Sequence, residues 1–147
     1  MKRLLVAIIF LYGTRLGAGI LYVPAGPYVS IQAAIDDAND DDTVIVNPGV
    51  YHENISFLGK SITVRSIDPN DPNVVAATVI DGSGSTDPNV GSVVTFANGE
   101  GNDSVLSGLT ITGGTGSWLA VSWRFSGLRW NRCGGGVLCH NMSAPTI

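Results

Sequence analysis

The chain has 147 residues, with eight Lys and Arg against twelve Asp and Glu, for a formal net charge of −4. That length holds one domain and not comfortably two, and the acidic balance argues against nucleic acid as a partner. Only 14% of residues are charged while Gly numbers 19, a composition that favours short strands and tight turns over long helices.

The N-terminus reads as a targeting segment. Lys2 and Arg3 precede an unbroken apolar run, Leu4 to Tyr12, and the small residues Gly17, Ala18 and Gly19 follow. The run is too short for a bilayer core of about 30 Å, and an anchor extended to Val23 would enclose Arg15 at a cost. Residues 1–19 are therefore expected to be a cleaved signal peptide, placing the protein outside the cell or on its surface, with no stable membrane span. Removal takes Lys2, Arg3 and Arg15, leaving five basic groups against twelve acidic ones. Such a surface does not steer polyanions toward itself unless a local basic patch or a bound cation reverses the sign.

Beyond the signal, Leu21 to Val23 predicts a short strand, followed by a turn around Pro24, Gly26 and Pro27. Ser30 to about Ala38 predicts the one convincing helix. Ser30 can cap it, and Ile31, Ala34, Ile35 and Ala38 fall on a single stripe. Asp36 and Asp37 lie near its C-terminal end, where the dipole disfavours them, so the helix is expected to depend on packing.

From Thr43 the pattern changes to short strands with polar breaks: Thr43 to Val46, a looser strand around Ile55, Ser61 to Ser66, Thr78 to Ile80, Val93 to Phe96, one strand carrying Val105, Leu109 and Ile111, and Gly136 to Cys139. Asp68 to Asn73 reads as a loop. The spacing suggests units of one strand plus a turn, which bury their apolar faces by stacking on neighbours. A sandwich or meander shows similar strands, and Asp81-Gly82 and Asn98-Gly99 are possible hairpin turns. Residues 115–132 break the pattern. They hold Trp118, Trp123 and Trp130 with Arg124, Arg129 and Arg132, between the Gly113-Gly114 and Gly134-Gly135-Gly136 stretches, and read as an insertion into one turn.

The stretch Tyr28 to Ser66, with "SIQAAIDDA", then "DTVIVNPGVYHENI", then "KSITVRS", resembles the first coil of right-handed parallel β-helix proteins of the pectin-lyase-like class. Gly108 to Gly114 and Gly134 to Asn141 resemble later coils. The resemblance implies an all-β, right-handed parallel β-helix (a solenoid) over residues 20–147, with a short helix covering its N-terminal end. Ala144 to Ile147 looks like the middle of a coil, which implies a fragment of a longer protein. The fold is poorly specific for function. The expectation is a carbohydrate-associated or structural scaffold whose partners are polysaccharide or cell-surface components. The alternative is the N-terminal part of a polysaccharide lyase or related enzyme.

Lyases of this class commonly use carboxylates for calcium and a Lys or Arg as base. Asp40-Asp41-Asp42, Asp68 with Asp71, and Asp81 with Asp87 and Asp103 are the acidic clusters. Turn aspartates that bond their own backbone account for all three, so no metal site or cofactor is assigned, calcium being a possibility of the full-length protein. Glu53, Lys60 and Arg65 read as outward strand positions. His52 and His140 lack partners at metal spacing, and no complete catalytic set is present. The tryptophan-rich segment reads as either a sugar-stacking or protein-binding loop or a foreign stretch. Asn54, Asn102 and Asn141 begin glycosylation sequons, which matter only in a eukaryotic secretory pathway. Cys133 and Cys139 either pair after export or remain thiols, since nothing in the sequence sets their separation.

Overall fold

A computed structural model describes residues 17–87, 89–123 and 127–147, and of 121–123 and 127–129 the backbone alone. The expected signal peptide lies almost wholly outside the described residues. Among the described residues there are twelve strands and two short α-helices: β1 (Ile20–Val23), α1 (Ile31–Asp37), β2 (Thr43–Val46), β3 (Gly49–Tyr51), β4 (Ile55–Ser56), β5 (Thr63–Ser66), α2 (Pro72–Ala77), β6 (Thr78–Asp81), β7 (Val94–Phe96), β8 (Val105–Ser107), β9 (Thr110–Thr112), β10 (Ser117–Trp123), β11 (Gly127–Cys133) and β12 (Val137–Cys139).

Three sheets are parallel throughout, with orders β1-β2-β5-β8, β3-β6-β9 and β4-β7-β12. From β2 the chain visits the first, second and third sheets in that order, then repeats the circuit. Thr43, Thr63 and Val105 consequently share one column of the first sheet. Parallel pairing needs long crossovers and excludes the tight hairpin. Asp81-Gly82 accordingly opens a 3-10 turn, and Asn98-Gly99 lies in the turn between β7 and β8. Neither is a hairpin tip.

Side chains alternate across each strand. The inward columns, Val44-Val64-Leu106, Ile55-Val94 and Tyr51-Ile80, meet in one core. Phe57 and Phe96 stack there with ring centroids 4.3 Å apart. Helix α1 buries Ile31, Ala34 and Ile35 against β1, β2 and β4, with Ala38 buried just beyond. Ser30 caps it, its hydroxyl accepting from the Ala33 N–H at 3.2 Å.

Three elements of the fold differ from the pattern expected of the sequence. The unit is not one strand plus a turn: each circuit contributes three strands, one to each sheet. The strand expected to carry Val105, Leu109 and Ile111 is two, β8 and β9, on different sheets. Gly108, at φ +66°, makes the corner, and a Cβ there would lie 2.4 Å from Pro69. The loop at Asp68 to Asn73 runs into a second helix. Asp71 caps it through the Asn73 N–H at 2.8 Å, and Pro72 stands in its first turn, where a missing N–H costs nothing.

Of the expected insertion at 115–132, the described residues include β10 and most of β11, a two-stranded antiparallel ribbon between β9 and β12 in the chain that, among the described residues, pairs with none of the parallel sheets. Its base is fastened at Ser92, which is fully buried. The Ser92 N–H donates to Ser117 Oγ at 3.1 Å, and its hydroxyl also meets the Gly134 carbonyl. Gly114 and Gly135 approach so closely that a Cβ on Gly114 would lie 1.9 Å from the Gly135 carbonyl oxygen.

Candidate functional site

Outward side chains of the third sheet form the floor of a groove of about 390 Å³. The register aligns Ser56, Thr95 and Leu138 in one column. Gln32 and Asp36 of α1 line it at one side, Leu119 of β10 and the Asn89-Val90 turn at another, and Leu58 and His140 complete the lining. Leu138 is buried although its column faces outward. Hydroxyls, amides and aliphatic side chains thus share one surface, the mix that holds a polar ligand by hydrogen bonds and shape.

Gln32 shapes the groove's end. Its amide oxygen accepts from the Ser56 N–H at 2.8 Å, and its amide nitrogen donates to the Ser56 carbonyl at 3.3 Å and to Asp36 Oδ1 at 2.8 Å. One side-chain amide thereby replaces the strand that β4, at the edge of its sheet, lacks. Asp36 and His140 are the titratable groups among the lining residues.

The sequence candidates are distributed differently. Asp40 accepts from the Ser61 N–H, Asp68 from Asn70, Asp71 from Asn73, Asp81 from Ser83 and Asp87 from Asn89, each through backbone nitrogen at 2.8–3.1 Å. Asp42 is buried and accepts from the Asn39 and Gly19 N–H groups. Among the described residues no group of three or more His, Cys, Asp or Glu is placed to hold a metal ion. The Ser83 backbone N–H holds the Asp81 carboxyl below its ordinary range, with His52 adding to the effect. His52 Nδ1 stands 3.3 Å from Asp81 Oδ2, at the surface. The β3–β6 pairing brings these two together.

Glu53 and Lys60 do not sit on strands. Glu53 accepts from the Ile31 and Gln32 N–H groups at 2.9 and 3.0 Å. Lys60 Nζ donates to the carbonyls of Ile35, Asp36 and Ala38 at 2.6, 2.7 and 2.7 Å. Arg65, outward on β5 as expected, donates to the Ser66 and Ile67 carbonyls. Asn54 donates to the Ser92 carbonyl at 2.9 Å, so its amide is engaged between successive circuits. Cys133 and Cys139 are thiols. Burial raises the Cys139 pKa, with the charge of Glu100 adding to it.

Glu100 belongs to no motif in the sequence, yet it is 2% exposed. Its carboxylate accepts from Gly59 N, Asn98 N and Ser143 Oγ at 2.8, 2.8 and 2.7 Å. These three residues belong to successive circuits. Burial pushes the carboxyl up, but the Ser143 hydroxyl and the backbone N–H groups of Asn98, Glu100 and Gly59 outweigh it and hold it below its ordinary range.

No protein-family model, no curated protein and no solved structure significantly matches the chain. What the chain demonstrates of itself is a β-rich architecture of parallel sheets with two short helices. Among its described residues no helix is long and apolar enough to cross a membrane.

Proposed function

We propose that this chain is a secreted or cell-surface protein built as a right-handed parallel β-helix, with residues 1–19 as its signal, serving as a carbohydrate-associated scaffold. The supporting observation is the repeated circuit through three parallel sheets, with the outward column Ser56-Thr95-Leu138 opening into the polar and aliphatic groove. The right hand follows from the preference of parallel crossovers. In this reading α1 covers the first coil, and the groove seats a sugar chain by hydroxyl and amide contacts.

The test is binding of the full chain to a panel of soluble polysaccharides, beside the same assay on Thr95→Trp, which fills the groove. Binding lost in the variant, with no unsaturated product from pectin, alginate or chondroitin, is the expected result. Unsaturated product would instead favour the lyase alternative, and absence of any binding by the native chain would remove the carbohydrate reading.

A further inference from the structure

The ribbon β10-β11 has two faces. Ser117, which is buried, and Leu119, which lines the groove, belong to one. On the other, the register sets Trp118 opposite Arg132 and Ala120 opposite Trp130. Trp130 is 62% exposed and Trp118 38% exposed. The Arg132 guanidinium carbon lies 5.2 Å from the Trp118 ring centroid, within cation–π range. Ala120 is too small to cover the indole opposite it. Two large apolar rings thus stand in water on a strand pair, flanked by a guanidinium held in place.

We propose that this outer face, formed by Trp118, Ala120, Trp130 and Arg132, is a stacking platform for the pyranose rings of a neutral polysaccharide. The proposal rests on the carbohydrate-associated reading above and adds a second site on the opposite side of the ribbon from the groove. An indole face takes the C–H face of a sugar ring, while its hydroxyls remain free for the Arg132 donors. A protein partner fits less well. A stable protein interface buries at least about 1,000 Å², whereas an aromatic side chain supplies about 150–250 Å². A polyanion fits less well too. With the expected signal removed, five basic groups face twelve acidic ones, and a single guanidinium already stacked on Trp118 does not reverse that field.

The experiment is calorimetric and fluorescence titration of the full chain with hydroxyethylcellulose, a soluble neutral β-glucan, and with polygalacturonate, at low and high salt. The proposal expects glucan binding that is insensitive to salt and shifts tryptophan emission. Trp130→Ala should weaken it at least about fivefold, and Trp130→Phe should retain part of it. Both substitutions fall on an exposed side chain, and unchanged thermal melts would show that the fold is kept. Glucan binding unaltered in both Trp130→Ala and Trp118→Ala would overturn the proposal, as would binding confined to polygalacturonate and abolished by salt. So would concentration-dependent self-association that Trp130→Ala abolishes without any glucan binding. Binding lost in Thr95→Trp but kept in Trp130→Ala leaves the groove and removes the platform; the reverse pattern leaves the platform and removes the groove.

Discussion

Glu53 and Lys60 grip opposite ends of the same helix: the carboxylate takes the first free N–H groups of α1, and the ammonium takes its last carbonyls. Each charge lies on the side that the helix dipole favours. Together they offset the unfavourable placement of Asp36 and Asp37. Lys60→Met should therefore cost about 1.5–3 kcal/mol, the range for hydrogen bonds to a charged group. Glu53→Ala should act in the same direction. Denaturant unfolding of each variant checks this, and a loss below a few tenths of a kcal/mol would show that the helix is held by its apolar stripe alone.

The pairing of Gln32 with Ser56 makes a separate expectation. Gln32→Ala leaves the Ser56 N–H and carbonyl without the amide that satisfies them. Edge backbone without a cover recruits other strands. The variant should lose about 1–2 kcal/mol of stability and aggregate faster than the native chain in light scattering. Hydrogen exchange at the Ser56 amide should rise.

Glu100 sets an acid limit. Its carboxyl titrates below the ordinary glutamate value of 4.5 in the folded chain. A group depressed in this way contributes its stability in full above its unfolded value, and that contribution is lost as pH falls through the folded value. Stability attributable to Glu100 is thus constant at neutral pH and declines only below about pH 4.5. Glu100→Gln, which cannot accept three N–H and O–H donors as a carboxylate does, should lower stability at pH 7 and flatten the acid limb of a stability-versus-pH curve. An unchanged acid limb would assign acid unfolding to other carboxylates.

Ser66 predicts a gain. It lies on an inward column beside Val46, fully buried, and its hydroxyl has no hydrogen-bond partner. Burying an unsatisfied hydroxyl costs about 1–3 kcal/mol. Ser66→Ala removes that group with almost no change in volume, so thermal unfolding should shift upward. A lower melting temperature would mean that the hydroxyl is satisfied in solution, for example by a buried water.

What the sequence makes legible divides along sequence distance. The α1 stripe, its Ser30 cap and the strand at Thr43 to Val46 are local patterns, and each stands where periodicity and capping put it. The circuit of three sheets was obscured because its strands are two to four residues long, too short to show where one ends at a corner such as Gly108. The helix α2 was masked by turn-forming residues, although Asp71-Pro72 is itself a helix-start signal. The roles of Glu53, Lys60 and Glu100 depend on partners more than twenty residues away, apart from the Glu100 bond to Asn98. Nothing within a short window distinguishes these side chains from solvated ones. Glu100 had one local cue, its position two residues after Asn98, whose backbone N–H it accepts.

The meeting of Gly114 and Gly135 has a consequence for variation. The chain leaves the stacked body and returns to it at almost the same point, since the two backbones touch there. Ser92 fastens both strands of the ribbon at that crossing. Whatever polypeptide runs between them meets the body as a pair of adjacent ends, so its length and composition place little demand on the parallel sheets. The crossing is a socket: β10 and β11 are its present occupant, and a loop of other sequence could be exchanged there while β9 and β12 keep their places.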